Sequence, residues 1–174
     1  MPSSETLAEI LSGGDRRSIG GSHVAVKLVL QQPGRFGELM ACLSSENPVL
    51  RMRAADAAEK VSAKKPRLLG RHKAELLGLL ARTQQIELRW HLALMIPRLP
   101  LTAPERRRAR EVLECYLDDR SSIVKTFALE GLANLARTDA ALGPGVKQLL
   151  RKAVDRGTPA MRARARKLLD QLRD

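Results

Sequence analysis

Asp56 and Glu59 stand one helical turn apart beside Arg53 and Lys60, two carboxylates and two cations at a spacing that could support acid–base work. The commoner role of that spacing is a surface ion-pair set. No GxSxG, P-loop, GxGxxG or HExxH motif accompanies it. Trp90-His91 is the other pair that draws notice, in a chain with one Trp, one Tyr and two Phe. A tryptophan can anchor a binding hot spot, and it can equally fill a seam between packed helices. His91 has no companion at metal-ligand spacing, since His23 and His72 lie in other segments. Cys42 and Cys115 are far apart and outside any CxxC pattern, so each reads as a small buried hydrophobe. The reading is therefore non-enzymatic, with no cofactor, no metal and no small-molecule substrate. Aromatics at 2% are too few to line a large ligand pocket.

Charge gives a different lead. The net charge is +12, which attracts polyanions or acidic proteins over a distance. Lys64, Lys65, Arg67, Arg71 and Lys73 form one cluster, Arg106, Arg107, Arg108 and Arg110 a second, and Arg162, Arg164, Arg166 and Lys167 a third. None is interleaved with aromatics for base stacking, and none belongs to a helix-turn-helix, RRM or KH signature. Any nucleic-acid binding is thus expected to be nonspecific phosphate contact. No apolar run reaches the roughly 18 residues of a membrane span. Residues 1–11 do not resemble a targeting peptide, so a cytoplasmic location is expected.

The elements that must position these residues come from a repeat. Segments opening at Leu50, Leu88, Val124 and Met161 align without a gap, their starts 38, 36 and 37 residues apart. Each begins with an apolar residue followed by a basic one: Arg51, Arg89, Lys125, Arg162. Small or apolar residues recur four positions in (Ala54, Leu92, Ala128, Ala165), eight in (Ala58, Ile96, Leu132, Leu169) and eleven in (Val61, Leu99, Leu135, Leu172), which is one buried face of an α-helix. A second amphipathic helix precedes each, as in Phe36, Leu39, Met40 and Leu43, or Val146, Leu149, Leu150 and Ala153. Asn47-Pro48 and Thr158-Pro159 read as N-cap followed by first-turn proline, Ser121 or Ser122 as a cap, and Thr102 with Glu105 as a capping box. Residues 3–32 carry a weaker pair: Leu7, Ile10 and Leu11 after Ser3 or Ser4, then Val24 and Leu28 in a helix opened near Asp15.

The run Leu50-Arg51-Met52-Arg53-Ala54-Ala55 resembles the inner helix of a HEAT repeat, and residues 33–174 resemble bacterial HEAT-repeat proteins of the armadillo type that have no assigned activity. The resemblance implies an all-α fold, a right-handed α-α superhelix of about five helix pairs. It would form a single domain over 1–174, with 1–32 a degenerate capping repeat and 33–174 four clear repeats. It implies a non-catalytic scaffold that presents a concave helical surface to a protein partner, an acidic one being suited to the charge. Basic, sequence-independent nucleic-acid binding is the alternative. A DNA alkylation-repair enzyme or a bilin lyase shares the architecture only; the former would need Trp90 and Phe127 with Asp56 or Glu130 as acid. Arg53, His91, Phe127 and Arg164 occupy equivalent places, as do Lys60, Arg98, Asn134 and Gln171. The expected partner surface is Arg53, Lys60, Trp90, His91, Arg98, Phe127 and Arg164. Arg51, Arg89, Lys125 and Arg162 are either a phosphate ladder or packing residues that meet acids or carbonyls of a neighbouring repeat.

Overall fold

The computed structural model describes residues 5–14 and 18–172. Helix, 3-10 turns included, makes up 82% of these residues, and no strand occurs among them. Among the described residues ten α-helices follow one another as five sequential pairs: α1 (Leu7–Ser12) and α2 (Ser22–Gln31), α3 (Phe36–Cys42) and α4 (Pro48–Lys64), α5 (Lys73–Arg82) and α6 (Ile86–Met95), α7 (Ala103–Cys115) and α8 (Ser122–Thr138), and α9 (Gly143–Arg156) and α10 (Pro159–Gln171). In the first, second, fourth and fifth pairs the two helices pack directly on each other. No helix among the described residues is long and apolar enough to cross a membrane.

Each second helix of the last four pairs begins two residues before its aligned position, at Pro48, Ile86, Ser122 and Pro159. Side-chain caps fix three of these four starts, whereas Gln85 before α6 makes no capping bond. Asn47 Oδ1 accepts the N–H of Val49, Ser121 Oγ that of Val124 and Thr158 Oγ1 that of Met161. Proline follows the cap in α4 and α10, where a missing N–H costs nothing. Thr102 and Glu105 close a reciprocal capping box on α7. The aligned alanines Ala54, Ala128 and Ala165 are fully buried.

The first pair departs from expectation. A capping box of Thr6 and Glu9 starts α1; Ser3 and Ser4 lie outside the described residues. Helix α2 starts at Ser22, not near Asp15, which also lies outside them. It buries Ser22, Ala25 and Val29, while Val24 is exposed. The buried face is thus Ser22, Ala25 and Val29 at helical spacing, in place of the expected Val24 and Leu28, of which Leu28 is half-buried. Cys42 is buried as expected, but Cys115 is exposed at the end of α7.

Packing divides the chain into two compact units, Met1–Ala74 and Glu75–Asp174. In the first, α4 packs on α1, α2 and α3. Its Arg53 is only 1% exposed. The Nη1 atom donates to the carbonyls of Leu11 and Gly13, both at 2.7 Å, and Nε to that of Ser18 at 3.2 Å. Arg53 therefore satisfies backbone acceptors left over where α1 ends. Gly20, at φ +52°, completes the wrapping: a Cβ there would stand 2.7 Å from the guanidinium carbon.

In the second unit α8 is the hub, flanked by α6 and α10 and backed by α7 and α9. Gly131 on α8 lets α6 come close, because a Cβ would meet Ala93 O at 2.5 Å. Tyr116 is buried and its hydroxyl donates to Leu80 O at 2.5 Å. Burial pushes its phenol up to about 12. Arg89 lies over the Tyr116 ring, 5.1 Å from the centroid, and Nη1 meets Asp119 Oδ2 at 2.5 Å.

Candidate partner-binding surface

At three of the four aligned basic positions, Lys125 being the exception, the side chain serves the backbone. Arg51 Nη1 donates to Ser45 O (2.6 Å) and Glu46 O (3.1 Å), Arg89 Nε to Thr83 O (2.9 Å) and Arg162 Nε to Gly157 O (2.9 Å). In each case the guanidinium folds back five or six residues onto the turn before its own helix. These arginines spend their donors on carbonyls that the turn leaves unpaired, so the packing role applies to them and the phosphate ladder does not. Arg89 adds a bridge to Asp119. Burial raises that carboxyl's pKa, but the Ser121 N–H, the Arg89 bond and charge, and the Arg120 charge outweigh it and leave it below the usual carboxylate value.

Two of the seven expected surface residues are not on the surface. Arg53 is enclosed in its carbonyl cage. His91 is 2% exposed, with Nδ1 at 2.6 Å from Glu87 O, one turn back on its own helix. Both sit three residues into the aligned segment and turn into the packing of their units, whereas Phe127 and Arg164 at the same position are half-buried. Lys60 is exposed, with Nζ 2.7 Å from Asp56 Oδ2. Asp56 also accepts from Ser22 Oγ, so this acid is a helix-packing group and not a poised base. Arg98 is half-buried in the 3-10 turn Ile96–Arg98.

The remaining residues come together across α6, α8 and α10. The Trp90 ring stacks on Phe127, centroids 5.2 Å apart and planes at 25°, and its inner side rests on His91 at 3.4 Å. Arg164 lies beyond Phe127, its guanidinium carbon 5.6 Å from that ring's centroid. Arg164 Nη1 also meets Glu130 Oε2 at 2.8 Å, an oxygen that is itself buried. Trp90, Phe127, Glu130 and Arg164 are all half-buried. The result is a ladder of three flat groups held face against face: indole, phenyl, guanidinium. Glu130 was legible only as an acid one turn after Phe127, and its service to Arg164 needed the helix spacing. Equally unsignalled was Arg137, which donates to Asn134 Oδ1 (2.9 Å) and Gln171 Oε1 (2.5 Å) and so links two of the aligned polar positions.

No protein-family model matches the chain, and no curated protein matches it. Among the described residues no three His, Cys, Asp or Glu side chains gather as a metal set.

Proposed function

We propose that this chain is a non-catalytic binding module, a HEAT-type right-handed superhelix of about five helix pairs whose inner helices dock a protein partner. The Trp90–Phe127–Arg164 ladder carries this reading. It puts the chain's only tryptophan on a half-exposed face spanning three successive repeats, fixed by stacking before any partner arrives. Preorganised aromatic and arginine groups lose little freedom on binding, which is why they dominate interface energies. An alkylation-repair reading would need a free acid beside those rings, and Glu130 is engaged by Arg164 while Asp56 is engaged by Ser22 and Lys60.

The test is capture of partners from a nuclease-treated lysate by wild-type protein and by Trp90→Ala and Phe127→Ala variants. A protein partner held by wild type and released by both variants supports the ladder as the docking site. The lost affinity should be about 2 kcal/mol or more, roughly 30-fold, for Trp90→Ala. A partner retained equally by both variants places the surface elsewhere and sinks this assignment. Trp90 also offers a direct readout, because its fluorescence must shift when a partner covers the indole.

A further inference from the structure

Arg51, Arg53, Arg89, Arg162 and Arg164 are committed to carbonyls or carboxylates, whereas no carboxylate among the described residues pairs with Lys147 or Arg151 on α9. Between residues 137 and 172 nine basic residues face three acidic ones. Three of the nine, Arg137, Lys147 and Arg151, line an open cleft of about 640 Å³ between the end of α8, the start of α9 and the end of α10. Ala136, Ala140, Pro144 and Leu172 give it an apolar floor, and among the described residues no carboxylate lines it. Among the described residues neither Lys147 nor Arg151 has a carboxylate partner. Arg137 is held by two neutral acceptors, Asn134 and Gln171, which fix the guanidinium without cancelling its charge.

We infer that this end face binds the phosphate backbone of nucleic acid, anchored in the cleft by Arg137, Lys147 and Arg151. A fixed planar guanidinium matches a phosphate's paired oxygens, and the two neighbouring cations stay free to neutralise it. A polymer fits better than a small phosphate compound for two reasons. The cleft is wide open, so it cannot enclose a small molecule. Arg151 also lines a second open cleft of about 540 Å³, with Arg166, so the positive track continues past the first. Asp155 and Asp170 border that second cleft and dilute it, which makes the first the anchor. Neither cleft has an aromatic lining, so the contact is with backbone and not with bases, and it does not discriminate sequence. This surface is separate from the Trp90 ladder and stands or falls independently of protein docking.

The experiment is fluorescence anisotropy of the full chain with a labelled mixed-sequence DNA duplex across a salt series. Wild type should bind at low salt, with affinity falling linearly on a log–log plot. The double variant Lys147→Glu/Arg151→Glu should lose at least tenfold in affinity, and its salt slope should flatten by about 0.9 for each phosphate contact removed. Arg151 is exposed and Lys147 half-buried with no carboxylate partner among the described residues, so circular dichroism should be unchanged. A charge-matched control, Arg67→Glu/Arg71→Glu, removes two exposed cations from the first unit and should lose far less. Equal losses in both variants would mean that only net charge matters, and the inferred site would be wrong. So would absence of wild-type binding at low salt. Displacement of the duplex by polyglutamate at matched charge concentration would show a carboxylate-binding face and overturn the phosphate assignment.

Discussion

Arg53 is the residue whose fate differs most from its pattern. Its neighbours in the alignment are His91, Phe127 and Arg164, and two of these four positions are buried and two half-exposed. Sequence spacing gives the angle of a side chain around its helix but not what waits there. For Arg53 the answer is the end of α1, whose carbonyls need donors. Replacing Arg53 with Met keeps the bulk and strands the acceptors of Leu11, Gly13 and Ser18. The expected cost is about 3–5 kcal/mol, read as a lowered midpoint in urea unfolding. Hydrogen exchange should rise first in α1 and α2. Asp119 provides a second test, through pH. Its folded pKa is depressed, so the stabilisation it brings is present above its ordinary value near 3.8 and is lost as pH falls through the folded pKa. Asp119→Asn should therefore lower the thermal midpoint at neutral pH and narrow its gap to wild type in strong acid. A gap that stays constant with pH would assign Asp119's contribution to the Ser121 turn rather than to its charge.

At the scale of elements, the repeat register was legible because cap, proline and buried alanine recur together and agree with one another. Those signals locate the starts of α4 and α10 and bring that of α8 to within a residue, whereas α6 has neither a capping side chain nor a first-turn proline and rests on the spacing alone. The first pair was not, since its start depends on Gly20 at positive φ and on Arg53 reaching across from α4, and neither contact has a local signature. The same limit hid the close approach of α6 and α8. Gly131 looks like a weak spot in a helix, and propensity alone says that alanine there should gain about 1 kcal/mol. The structure reverses the sign. A Cβ at 2.5 Å from Ala93 O cannot be relieved by rotating a side chain, because the obstacle is backbone. Gly131→Ala should destabilise by about 1–3 kcal/mol in denaturant unfolding. Ala128→Leu, one turn earlier and fully buried, should cost a similar amount by overpacking. Thermal midpoints at or above wild type for both would mean that α6, α8 and α10 pack less tightly than described.

For the whole molecule the governing quantity is charge. With +12 on 174 residues the folded chain repels itself, and it does so most where nine cations meet three acids near the end of the second unit. Surface pairs such as Lys60–Asp56 and Arg110–Glu114 work in the opposite direction, but exposed pairs contribute only about 0–1 kcal/mol each. Raising ionic strength from 0.01 to 0.15 M shortens the screening length from about 30 to about 8 Å. That weakens repulsion between unpaired cations much more than it weakens contacts at bonding distance. The thermal midpoint should accordingly rise with sodium chloride over this range. Phosphate at matched, low ionic strength separates screening from binding. An anion that merely screens raises the midpoint as chloride does, whereas one that occupies the Arg137–Lys147–Arg151 cleft adds a concentration-dependent increment, since ligand bound only to the folded state stabilises it by mass action. The increment should vanish in Lys147→Glu/Arg151→Glu while the chloride response persists in weaker form, because that variant has a net charge four units lower. Identical responses to the two anions in wild type would mean that the cleft holds no phosphate by itself, and any nucleic-acid affinity would then require several contacts along a polymer.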